Sequence, residues 1–207
     1  MDISMAALKG GVAKTTTAIH LAAFFHKHDE TVLIDSDKNE SALTWARLGS
    51  LPFPVCPLEG ATKYIRKAVH VIIDTQARPT NSDLEAIAQG CDLLILPTTP
   101  KALDIDALIK TTDVLKELKA NFKVLLTMVP PPRRRPSQRK VQPHLKEEKA
   151  RFLLSQEEIP TFKGAIYQYT AFERSPLMGV TVDQYPDKYA KRAWDCYQKI
   201  GEEILNG

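Results

Sequence analysis

Cysteine is scarce in this chain. Cys56, Cys91 and Cys196 lie far apart and form no C-x-x-C pair. That spacing argues against a disulfide framework or a cysteine-rich zinc site and makes a reducing cytoplasm the expectation. Long apolar runs are also missing. None approaches the roughly 18 residues a membrane-spanning helix needs. The first residues, Met1-Asp2-Ile3-Ser4, lack a basic leader region, so no signal peptide is expected. Glycine is sparse and aperiodic, which excludes a collagen-like rod; no internal repeat and no Gly/Ser linker is visible. The charge is nearly balanced, 28 basic against 25 acidic residues for a net +3, and that total alone does not argue for a nucleic-acid partner. What is present is ordinary for a folded globular protein: 43% hydrophobic and 26% charged residues. A length of 207 residues suits one domain, 1–207.

Apolar periodicity alternates along the chain. Short apolar runs at Ile3 to Leu8, Thr31 to Ile34, Val69 to Ile73, Leu93 to Leu96 and Phe122 to Val129 predict strands. Helical spacing at Thr15 to His28, Ser41 to Leu48, Asn81 to Gly90 and Ile105 to Leu118 predicts the helices between them. Pro52 to Pro57 reads as a short extended piece, Thr62 to Ala68 as a short helix, and Pro97 as a strand stop. Strands alternating with helices predict an α/β fold with a mainly parallel twisted sheet flanked by helices. Ligands of such sheets sit beyond the carboxyl ends of the strands. Those ends are Lys9, Asp35 to Asp37, Asp74 and Pro97. After Val129 come Pro130-Pro131-Pro132, an Arg-rich stretch, a helix at Leu145 to Leu154, a possible last strand at Phe162 to Ile166, and a terminal helix opened by Pro186. The terminal helix carries Tyr189, Ala193, Tyr197, Ile200 and Ile204 on one stripe, expected to be a core face.

Lys9-Gly10-Gly11-Val12-Ala13-Lys14-Thr15-Thr16 joins the first strand to the first helix. Backbone N–H groups at a helix N-terminus are unsatisfied and partially positive, and a loop that wraps them around an anion makes a phosphate site. Gly10 and Gly11 permit close backbone approach, Lys14 is placed to reach the β- and γ-phosphates, and the Thr15 hydroxyl to bind Mg²⁺. A strict G-x-x-x-x-G-K-[ST] pattern misses the segment, because Leu8 and Ala13 stand where its glycines belong. Ala13 is expected at negative φ, since a left-handed alanine costs on the order of 1 kcal/mol. Val32-Leu33-Ile34-Asp35-Ser36-Asp37 and His70-Val71-Ile72-Ile73-Asp74-Thr75 each end a buried strand in an acid.

The spacing K-G-G-x-x-K-T-T resembles the deviant Walker A motif of the ParA/MinD family of ATPases, whose fold is P-loop NTPase-like. The two acidic strand ends resemble its D-x-D and Walker B motifs. The resemblance implies ATP and Mg²⁺ as cofactors, Lys9 as a lysine acting across a dimer interface, Lys14 and Thr15 on triphosphate and metal, Asp37 orienting water, and Asp74 serving the metal. Asp35 is expected to be structural. Leu125-Leu126-Thr127-Met128-Val129-Pro130 resembles the strand leading to the adenine pocket, with Met128 and Pro130 near the base. Asn is common in the family where Thr127 stands. The Asp37 and Asp74 motifs lack the family's following prolines; Lys38-Asn39 and Gln76-Ala77 stand there instead.

Within the family the chain is similar to short plasmid-partition ParA proteins, because it begins almost at the phosphate loop with no preceding helix-turn-helix. The resemblance implies an ATP-dependent homodimer that binds nucleoid DNA non-specifically and hydrolyses ATP under a ParB-like centromere-binding partner. A ParA-like scaffold that positions a protein cargo on the nucleoid fits the same motifs. A MinD-like membrane regulator is a further alternative, although the terminal helix has little basic flank and no membrane contact is expected. From Arg133 to Arg151 there are eight basic and two acidic residues; the remainder carries 20 basic and 23 acidic, a net −3. Clustered cations are all that sequence-independent DNA binding requires. Arg133, Arg134, Arg135, Arg139 and Lys140, with Arg192 added, are the expected DNA contacts.

Overall fold

The structure, a computed structural model, describes residues 1–132 and 143–207. Six strands form one sheet: β1 (Asp2–Ala7), β2 (Thr31–Asp35), β3 (Val55–Pro57), β4 (His70–Ala77), β5 (Leu93–Thr98) and β6 (Phe122–Leu126). Every pairing is parallel and the order is β3-β2-β4-β1-β5-β6. The intervening helices are α1 (Lys14–His26), α2 (Ser41–Leu48), α3 (Thr62–Ile65), α4 (Asn81–Gln89) and α5 (Ala102–Glu117); α6 (Leu145–Gln156), α7 (Ala171–Arg174) and α8 (Ala190–Leu205) follow β6. β1, β2 and β5 are buried along nearly their whole length, the pattern of strands covered on both faces.

The strands differ from expectation in several places, and β6 ends at Leu126 instead of running on to Val129. β4 continues through Asp74 to Ala77, and its register with β1 slips between Met5↔Asp74 and Ala7↔Ala77. That bulge, with the Arg78 N–H donating to the Ala7 carbonyl at 2.7 Å, ties the loop after β4 to the start of the phosphate loop. β5 runs through Pro97 instead of stopping there. The Leu94 N–H points to the Asn121 carbonyl beside β6, so alternation turns the Pro97 nitrogen toward β1. Pairing with β1 has already ended at Met5↔Ile95, and no ladder donor is lost. The expected strand at Phe162 to Ile166 is reduced to isolated bridges at Thr161 and Tyr167. The Arg151 guanidinium, held by Glu147, takes the carbonyls of Phe162, Lys163 and Gly164, and this pulls the strap away from regular pairing.

α1 is buried almost all round and not merely on the one stripe its sequence suggests, because α8 covers the side facing away from the sheet. Gly201 makes that crossing possible; a Cβ there would lie 2.2 Å from a Phe24 ring carbon. On α8 the stripe is a core face as expected, with Ala193, Tyr197 and Ile200 fully buried and Tyr189 at its exposed end. Among the described residues no helix is long and apolar enough to cross a membrane.

Candidate functional site: a phosphate loop over two buried carboxylates

Asp35 and Asp74 are register partners on β2 and β4, and Asp74 is the partner of Met5 on β1, so the three residues stand level across neighbouring strands. The Asp35 carboxylate accepts the N–H groups of Asp37, Ala42 and Leu43. It therefore holds the D-x-D turn and the start of α2, which is the structural part expected for it. Asp37 is left to face the phosphate loop.

Lys14 Nζ lies 2.5 Å from Asp74 Oδ1 and 3.3 Å from Asp37 Oδ2. All three side chains are buried, Asp74 completely. The three expected residues therefore meet in one cluster of one cation and two carboxylates. Burial pushes the Asp74 carboxyl up, and Lys14 with the nearby Thr15 hydroxyl only partly opposes it; the net shift is upward. Burial pushes Asp37 the same way, but the Asn39 backbone N–H and Lys14 outweigh it and hold that carboxyl below its usual range.

The loop itself turns through two left-handed residues, Gly11 at φ 75° and Ala13 at φ 61°. The negative φ expected for Ala13 is wrong. The chain has to leave β1 and enter α1 within a few residues, and a left-handed residue just before the helix accomplishes that turn. Thr17 returns both its N–H and its hydroxyl to the Ala13 carbonyl. Replacing Ala by Gly usually costs roughly 0.5–1 kcal/mol, but here release of left-handed strain offsets it. Ala13→Gly is therefore expected to be neutral or up to about 1 kcal/mol stabilising; urea denaturation checks it, and a full Ala→Gly loss would contradict the strain.

Lys9 does not turn back into its own loop. Its Nζ pairs with Asp104 Oδ1 at 2.6 Å in the first turn of α5, while Thr99 donates to the other carboxylate oxygen. Burial raises the Asp104 carboxyl, but Lys9 and Thr99 bring it below its usual range. Val12 is buried, and its carbonyl accepts from the Thr127 hydroxyl, which also reaches the Thr98 carbonyl. Thr127 is thereby occupied in joining the phosphate loop to β5.

Beside the loop a cavity of about 210 Å³ is bordered by Gly11, Ala13, Thr16, Met128 and the segment 166–173. Met128, expected near the base, lines it at φ 52°; Pro130 lies outside the lining. Gln168, Tyr169, Phe172 and Glu173 also line it. These four lay outside any motif in the sequence. The available signal was compositional: Tyr167, Tyr169 and Phe172 put three aromatics in six positions of a chain that is 7% aromatic.

The oxygen donors fit a magnesium nucleotide. Asp74 Oδ2 is buried without a hydrogen-bond partner among the described residues. No three His, Cys, Asp or Glu side chains among them converge on a metal. Mg²⁺ is commonly held by one or two carboxylates and phosphate oxygens, without a full protein cage. Thr15, Asp74 and Asp37 would hold it, and the ion would neutralise charge on the phosphates. Lys14 would exchange carboxylates for phosphate oxygens.

Residues 3–182 match the family model described as the CobQ/CobB/MinD/ParA nucleotide binding domain. The chain belongs to this family. It is 30% identical over 204 residues to the maintenance of carboxysome distribution protein A of Gloeobacter kilaueensis, covering 95% of this chain and 90% of that protein. Its fold is that of an McdA variant in an ATP complex from Cyanothece, with TM-score 0.73, 14% identity and coverage of 99% and 96%. MinD from Pyrococcus horikoshii complexed with Mg-ADP has TM-score 0.66, 18% identity and coverage of 100% and 98%. The family is one of nucleotide-binding ATPases, and the sheet and phosphate loop are its P-loop fold.

Arg133, Arg134, Arg135, Arg139 and Lys140 lie outside the described residues. Arg151, counted in the same basic stretch, spends its guanidinium on Glu147 and three carbonyls and has a structural task. Arg192 is exposed on α8, over the Tyr189 ring, beside a groove bordered by Lys123, Lys163 and Lys199 and also by Asp195, Glu202 and Glu203, the last paired with Lys123.

Proposed function

We propose that this chain is a Mg-ATP-dependent ATPase that dimerises on ATP, binds DNA without sequence preference and positions a protein cargo along it. The observation that carries the reading is Lys14 bridging Asp37 and Asp74 under the phosphate loop. That arrangement supplies the placement and charge that phosphoryl transfer chiefly needs. A protein cargo is favoured because a relative 30% identical over nearly the whole chain is a carboxysome distribution protein. Lys9 is the residue assigned to the partner's nucleotide; to reach it, Lys9 has to leave Asp104. The Arg133 to Lys140 cations and the Arg192 groove are the proposed DNA contacts, and binding through them falls steeply with salt.

Partition of a plasmid or chromosome with a ParB-like partner is the second reading, supported by the similarity of the phosphate loop and D-x-D stretch to short plasmid-partition ParA proteins. A small DNA-binding gene beside a repeat array would favour it. A MinD-like membrane role would need a surface segment other than the α8 stripe, which is buried against α1.

The test is an ATPase assay with DNA, run on wild type, Lys14→Gln and Asp37→Ala, with molecular mass measured in parallel. Wild type is expected to turn over slowly and to double its mass with Mg-ATP. Turnover in wild type no higher than in the two variants would end the enzyme reading; an unchanged mass would end the dimer reading.

A further inference from the structure

The cavity beside the phosphate loop is bordered by Gly11, Ala13 and Thr16 of the loop and by the aromatic side chains of Tyr167, Tyr169, Phe172 and Tyr197. The Tyr197 hydroxyl, one of its bordering polar groups, is already paired with Thr17. Gln168 and Glu173 are exposed, and neither side chain has a hydrogen bond or ion pair among the described residues. We infer that Glu173 is the specificity residue for the base, its carboxylate accepting a hydrogen bond from the exocyclic 6-amino group of adenine. The inference rests on the nucleotide-binding reading above and extends it to the choice of base.

Three features support Glu173 over its neighbours. A carboxylate only accepts, so it matches a base edge that presents an amine, whereas the Gln168 amide offers a donor and an acceptor and tolerates either chemistry. Tyr169 and Phe172 flank the same cavity, which gives a flat purine aromatic surface and leaves its edge for the rim. The charges also differ: Lys14 belongs to the phosphate loop, whose Gly11, Ala13 and Thr16 border the cavity, while Glu173 brings a carboxylate to it. A triphosphate is repelled from Glu173 and drawn to the loop, so an adenine nucleotide enters one way round.

The experiment is equilibrium binding by calorimetry, with ATP and with purine riboside triphosphate, which has hydrogen in place of the 6-amino group. Wild type is expected to prefer ATP by about tenfold, the scale of one hydrogen bond to a charged group at a partly open site. Glu173→Ala is expected to bring that ratio to near one while leaving affinity for the analogue unchanged, and Gln168→Ala to keep it. A wild-type ratio near one, or a tenfold ratio that survives Glu173→Ala, overturns the assignment while leaving nucleotide binding intact. If neither triphosphate binds wild type, the nucleotide reading itself fails and the base assignment with it. Glu173 is exposed, so its replacement leaves the core unchanged, and circular dichroism of each variant confirms the fold.

Discussion

Lys14→Met is expected to abolish ATP turnover and to weaken ATP binding by on the order of 10–100-fold, the contribution of one charge-assisted contact to phosphate. It is also expected to destabilise the protein without any ligand. Removing the ammonium leaves Asp74, fully buried, and Asp37 as two carboxylates without their cation. Stranding a buried charge in this way costs about 3–5 kcal/mol. The loss should depend on pH. The variant's folded state favours a protonated Asp74 more strongly than the unfolded chain does, because burial already raises this carboxyl and the opposing lysine is gone. The variant is therefore closest to wild type below the ordinary carboxylate value of about 4, and falls behind as pH rises through the raised folded value. Urea denaturation of both proteins at pH 4.5 and pH 8 reads this directly. A deficit that is constant with pH would show that Asp74 is not the buried charge left behind.

Lowering the pH of the wild-type protein from 7 to 4 is expected to remove about 3 kcal/mol through His20 alone. His20 is fully buried on α1, its ring stacked on Tyr197 at 4.8 Å and edged by Trp45 and Phe172. Its Nε2 accepts the Val182 N–H, so its Nδ1 carries the proton donated to the Thr16 carbonyl. Burial lowers its pKa to about 4, against small opposing effects from the Thr16 carbonyl and Asp183. The folded state thus binds fewer protons than the unfolded chain between about 4 and 6.5. The stabilisation is complete above 6.5 and is lost as pH falls through 4. His20→Gln cannot titrate, and its denaturation midpoint should lose less across that window than wild type does. Equal losses in the two proteins would reject the role. Functionally, Thr16, Phe172 and Tyr197 surround both this histidine and the cavity beside the phosphate loop, so acid should reach the nucleotide site by the same route.

The parts of the site legible in the sequence were those where chemistry and local geometry coincide. Lys14 and Asp37 come after buried strands and Asp74 lies in the carboxyl half of one, and parallel strands bring their carboxyl ends to one edge whatever their order. The order β3-β2-β4-β1-β5-β6 was not legible, because an apolar run says that a strand is buried but not which neighbour buries it. The edge strand Val55–Pro57 was too short for a period. Pro97 misled because a proline's compatibility with a strand depends on which side its nitrogen faces, and that side is set by pairing. Ala13 misled for a related reason: residue type gives the energetic preference, while the need to turn from β1 into α1 decides the conformation. The Gln168 to Glu173 wall is carried by a strap whose path depends on Arg151, a distant side chain with no motif of its own.

Among the described residues six that are not glycine have left-handed backbones, and they divide by edge of the sheet. Lys119 and Glu158 end helices α5 and α6, where such a residue is an ordinary stop. Ala13, Glu40, Arg78 and Met128 stand in the loops after β1, β2, β4 and β6, all at the carboxyl edge. Each is held there by neighbours, against its own preference, before any ligand arrives. The loops that meet a nucleotide are consequently set in shape during folding. Little chain entropy remains to be lost on binding, so affinity depends on contacts formed and not on loops becoming ordered.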